Sequence, residues 1–141
     1  MEVSDVRRRL RTAIDEARRH AEQRRARKDE ASRAWERMLG EVAVPAFHVV
    51  ASALTGEGYR FKVVTPGDAV RLVPERGEEF IELALDSDRE DPVLMLRSTR
   101  GRGRRMVSVE RIFKNGPAMA TFTEEEVVTA LLEALIPFVE R

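Results

Sequence analysis

Residues 4–39 contain neither proline nor glycine, and Gly40 is the first helix breaker in the chain. Apolar side chains recur at Val3, Val6, Leu10, Ala13, Ile14, Ala17 and Ala21, then at Ala31, Ala34, Trp35, Met38, Leu39 and Val42. Spacing by three and four marks one face of an α-helix, so the pattern predicts one long helix. Asp15 stands four residues before Arg19, and Asp29 four before Arg33, the orientation that supports an exposed helix. Between the two apolar stretches, "EQRRARKDE" (22–30) is polar almost all round. A heptad frame begun at Val3 gives a weak seam that fails at Arg24 and Arg27, so the segment is not a good autonomous coiled coil. A helix of this length, about 50 Å at 1.5 Å per residue, outruns a domain of this size. Its N-terminal stripe, Val3, Val6, Leu10 and Ile14, needs a partner, and a second copy of the chain is the simplest.

Gly40 and Pro45 break the pattern, and "PAFHVVASAL" (45–54) reads as a short apolar helix with proline in its first turn. The sequence leaves open whether the two helices are separate or form one kinked rod. From Tyr59 the period becomes two. Strands are expected at 59–64, 69–74, 79–85, 93–98 and 104–113, divided by the turn sequences "TPGD", "ERGE", "DSDREDP" and "TRGRG". Connections this short require antiparallel neighbours, hence a five-stranded meander. After "KNGPAMATF", Thr123 and Glu126 form a capping box, and Phe122 and Val127 a hydrophobic staple. A last helix is expected over 124–139, with Pro137 in its final turn ending or bending it. The fold class is therefore α+β: one domain over 1–141, with 1–39 a projecting helix and 40–141 a compact core.

The strands carry two unequal faces. Phe61, Val70, Leu72, Ile81, Leu83, Leu85, Leu94, Leu96, Val107 and Val109 make the expected core face, covered by the 45–54 and C-terminal helices. The opposite face mixes Lys62, Arg71 and Glu82 with Val73, Phe80, Ala84, Met95 and Met106. It is too apolar for a fully wet antiparallel sheet. The long helix, its own or a partner's, is the expected cover, which makes Phe80 and Met95 candidate dimer contacts beside the helix stripe.

The 25 basic and 25 acidic side chains cancel, which argues against a dedicated nucleic-acid binder. Their placement is uneven. Residues 1–40 hold twelve basic against eight acidic groups, and residues 75–91 two against eight. Such asymmetry points to pairing within the fold or between subunits. The absence of cysteine excludes disulfides, thiolate metal sites and a cysteine nucleophile. The N-terminus has no apolar leader, and clusters such as "VAVPAFHVVASAL" read as too short and interrupted to cross a bilayer, so a cytoplasmic protein without membrane contact is expected. The 22 arginines against 3 lysines fit a bacterial genome rich in G and C.

The most conspicuous candidate site is "RSTRGRGRR", which offers Arg97, Arg100, Arg102, Arg104 and Arg105 to an anion. Arginine forks suit phosphates. Against that, a meander brings "ERGEE" (75–79) to the same end, where Glu75, Glu78 and Glu79 would balance the tip. The stretch also lacks the interleaved aromatics of single-strand binders. The acidic "DSDRED" lacks the glycine and terminal glutamate of a helix–loop–helix calcium loop. His20 and His48 lack ligand spacing; His48 is the one candidate for a general base lining a pocket between helix and sheet. No nucleotide loop, zinc helix or nucleophile elbow is present. The readings that remain are a non-enzymatic homodimeric scaffold, a phosphate or nucleic-acid binder using the arginine hairpin, and a small-molecule pocket. No cofactor or metal is implied.

Overall fold

The structure, a computed structural model, describes residues 1–140. Helix α1 (Val3–Met38) continues through a π-helical segment (Leu39–Ala43) into α2 (Val44–Gly56). The two expected helices are thus one rod of roughly 80 Å at 1.5 Å per residue. Pro45 has no N–H and its ring crowds the carbonyl four residues back, so an ordinary helix would break there. The wider π turn passes the Val44 N–H to the Leu39 carbonyl and carries the chain past the ring. This corrects the expectation that no segment is long and apolar enough to cross a bilayer. One 18-residue window of the rod reaches a mean hydropathy of 1.5 and meets that measure by length and composition. The inward face of the α2 part, Ala46, Phe47, Val50 and Ala51, is buried against the sheet.

Strands β1 (Phe61–Val64), β2 (Val70–Pro74), β3 (Phe80–Asp86), β4 (Val93–Arg102) and β5 (Arg105–Asn115) form one antiparallel sheet in sequence order. A 3-10 segment (Gly116–Ala120) leads to α3 (Glu124–Val139), which runs through Pro137. The α+β architecture is as the sequence implies. The second half of the rod and α3 lie on one sheet face. Trp35, Phe47, Leu72, Ile81, Leu83, Leu94 and Leu131 are almost wholly buried between these layers. Phe61 meets Phe138, and Phe113 meets Phe122, edge to face.

Two contacts aim the rod. The Trp35 Nε1–H donates to the Asp68 carbonyl in the β1–β2 turn (2.6 Å), and Arg27 pairs with Asp91 in the β3–β4 turn (3.4 Å). Both turns lie at one end of the sheet. Before Ala31 no residue of the rod is buried. Residues 3–26 therefore extend beyond that end, away from the arginine hairpin.

The core face is narrower than its residue pattern implies. Val107 and Val109 share its parity but are 38% and 63% exposed. They sit on the edge strand and line an open groove beside Glu133, Ala134, Pro137 and Phe138 of α3, which does not extend over them. Nor does the chain's own long helix cover the opposite face, because Trp35 and Met38 bind it to the core side.

The capping box forms: the Thr123 hydroxyl accepts from the Glu126 N–H, and the Glu126 carboxylate accepts from the Thr123 N–H. Glu126 also takes a short hydrogen bond from Lys114. Lys114 first, and the Thr123 backbone second, hold its carboxyl below the ordinary 4.5. Replacing Thr123 by Ala should cost about 1 kcal/mol in urea unfolding at neutral pH. The Glu126 contribution is complete above 4.5 and is lost as pH falls through the lower folded-state value. The stability gap between wild type and Glu126→Gln should accordingly narrow in unfolding curves taken below pH 4.5.

Candidate functional site

The five hairpin arginines do not form one cluster. Strand alternation sends Arg97 to the open sheet face and Arg100 to the helix face. Arg97 Nη2 donates to Glu82 (3.2 Å), and Arg100 Nη1 donates to the Pro137 carbonyl near the end of α3 (3.2 Å). Only Arg102, Arg104 and Arg105 stand at the tip, all exposed and, among the described residues, without an ion pair or side-chain hydrogen bond. Gly103, with φ of 64°, and Arg104 make the two-residue loop; glycine at its first position suits a type II′ turn. Arg102 and Arg105 then face each other directly, an unfavourable like-charge pair.

The "ERGEE" turn does lie beside this hairpin, as the meander requires, but it balances the tip in another way. Glu79 Oε2 accepts the Gly101 N–H at 2.6 Å, which ties the base of the hairpin to β3. Glu75 pairs instead with Arg60 (3.8 Å).

The open face carries an arrangement that the sequence reading did not identify. Register places Arg71, Glu82, Arg97 and Glu110 side by side across β2, β3, β4 and β5. Charge alternates along the row. Glu82 takes Arg71 Nε at 2.6 Å and Arg97 Nη2 at 3.2 Å, and both guanidinium groups lie over the Phe80 ring, at 4.1 and 5.4 Å. Arg97 Nε is buried without a hydrogen-bond partner among the described residues. Phe80 is half-buried beneath its two arginines, and Met95 is already buried in the single chain at 8% exposure. Neither offers the open apolar surface expected of a dimer contact. No helix lies on this face. The face's own arginines, Arg71 and Arg97, lie over Phe80 in place of the expected covering helix.

The apolar stripe of α1 is where the sequence put it. Val3, Val6, Leu10 and Ile14 are 74%, 45%, 56% and 41% exposed, with nothing of the chain against them. Val107 and Val109 are exposed along the β5 edge, and Leu132, Ile136 and Val139 are exposed on the outer face of α3. A groove of about 270 Å³ runs beside β5, floored by Leu96 and Val109 and flanked by the Arg111–Glu133 ion pair.

His48 is exposed on the outer side of α2 and lines neither the groove beside β5 nor the opening beside α1, so those openings lack the expected general base. The larger opening, about 820 Å³, lies between α1 and the 3-10 segment, lined by Ala31, Ala34, Pro92, Val93, Pro117 and Met119. Among the described residues, no three acidic or histidine side chains converge to hold a metal ion. No known protein family, curated protein or solved structure matches the chain.

Two substitutions separate structural from tip arginines. Glu82→Ala strands Arg71 and Arg97, and should cost about 2 kcal/mol, less than a fully buried pair because both guanidinium groups remain about a third exposed. Arg105→Glu removes the facing like-charge pair and should raise stability by about 0.5 kcal/mol. Chemical denaturation of both variants beside wild type is the check.

Proposed function

We propose that the chain is a non-enzymatic interaction protein that works as a homodimer, joined through the projecting part of α1. The observation that carries this reading is the free helix itself. Residues 3–26 extend about 36 Å at 1.5 Å per residue, with an apolar stripe that nothing in the chain covers. A helix of that length draws little stability from its own hydrogen bonds and normally relies on packing. An exposed stripe of this kind marks an interaction surface. The body that carries it supplies rigidity: the other half of the same helix is built into the core. Sedimentation equilibrium at micromolar concentration should give twice the chain mass of 16.1 kDa. Leu10→Asp with Ile14→Asp should give the single mass and leave the far-UV spectrum of the body intact. A wild-type chain that sediments as a monomer would overturn the reading.

A second reading rests on the tip. Arg102, Arg104 and Arg105 form a positive end without an acidic partner among the described residues, to which a phosphate-bearing ligand or nucleic acid would supply an anion. Binding of a single-stranded oligonucleotide should then fall steeply with salt and weaken when these three become Glu. No detectable binding at low salt would remove it.

A further inference from the structure

The stripe on α1 is graded. At the seam positions of the heptad frame begun at Val3, the large side chains Val3, Val6 and Leu10 come first and the small Ala13 and Ala17 come next, with Ile14 flanking the seam beside them. We propose that two copies pair their projecting helices antiparallel, about a two-fold axis between residues 11 and 12. The proposal rests on the homodimer reading and gives it a geometry. In this register Leu10 meets the partner's Ala13, Val6 meets the partner's Ala17, and Val3 meets the partner's His20. Each of the two inner kinds of layer then joins one large and one small side chain, which keeps the helices evenly spaced. A parallel pair would set Val3, Val6 and Leu10 against themselves at one end and alanines against alanines at the other. The gap between the helices would then taper.

Charge selects the same register. In an antiparallel pair the flanking positions on one side of the seam face each other. Along this helix they are Glu2, Arg9, Glu16 and Gln23. With the axis between 11 and 12, Arg9 lies two residues, about 3 Å along the axis, from level with the partner's Glu16, twice by symmetry, and Glu2 is offset equally from the partner's Gln23, within reach of these long side chains. Sliding by one heptad sets Arg9 against the partner's Arg9 in one direction, and Glu16 against the partner's Glu16 in the other. Both slides create like-charge contacts that the proposed register lacks. Available length agrees: the overlap uses residues 1–23, and the first contact between the rod and its own body is at Arg27.

The chain has no cysteine, so a single introduced one is a unique spin-label site. Full-length Thr12→Cys and Arg25→Cys are labelled and their dipolar couplings measured. Antiparallel pairing places the two labels within about 20 Å at residue 12 and about 40 Å apart at residue 25, from the helix rise and interaxial spacing. Short distances at both sites would overturn the antiparallel arrangement while leaving the homodimer. A dimer by mass with long distances at both sites would overturn the helix seam altogether. Absence of coupling at both sites, with a monomeric mass, would overturn the homodimer reading itself. An independent arm swaps charges. Arg9→Glu and Glu16→Arg should each weaken dimerisation about ten-fold, since each changes two symmetric contacts, and the double variant should restore it. Single variants without effect, or a double variant that fails to recover, would overturn the register.

Discussion

Everything distinctive in this molecule follows from one helix being held at one end and free at the other. The hold is the packing of Trp35, Met38, Phe47 and Val50 into the layer shared with α3 and the sheet. The indole N–H on the Asp68 carbonyl adds direction to that packing. With the second half of the rod fixed in a core, the first half cannot fold back without breaking the helix. It is presented to solvent along a defined line. The π turn at Leu39–Ala43 is essential to this, because it lets a single helix cross Pro45 and serve both as core element and as projecting arm.

The sheet separates its charges by strand parity. Arg97 belongs to an alternating row with Arg71, Glu82 and Glu110, where each positive group has a negative neighbour across a strand. Arg100 satisfies a carbonyl near the end of α3, where the helix dipole also favours a cation. The arginines that remain at the tip are fewer than the sequence suggests. Their lack of side-chain partners among the described residues sets them apart from the others, and is the physical basis of the anion-binding alternative.

What could be read from the sequence was what local chemistry controls. Three-and-four spacing gave α1, and the Thr123–Glu126 box marked the start of α3. Turn residues divided the five strands, and the short loops required a meander. What escaped depends on relations between elements. The continuity of the rod rests on hydrogen-bond geometry around Pro45, which residue types leave open. Val107 and Val109 have core parity, yet their exposure is decided by how far α3 extends sideways over the edge strand. Arg97 looked like part of the tip because Glu82, fifteen residues away, is brought beside it only by register. His48 fell on the outer surface because the rotation of α2 is set by Ala46, Phe47 and Val50 facing the sheet.

The central claim is that the free arm of α1 joins two copies of the chain and needs nothing else bound. Native mass spectrometry of the purified full-length protein, beside a denatured sample, tests this most directly. The expected result is a dimer at twice the 16.1 kDa chain mass, with no additional mass lost on denaturation. A monomer would contradict the claim. So would a species carrying nucleic acid or another anion, which would move the function to the arginine tip.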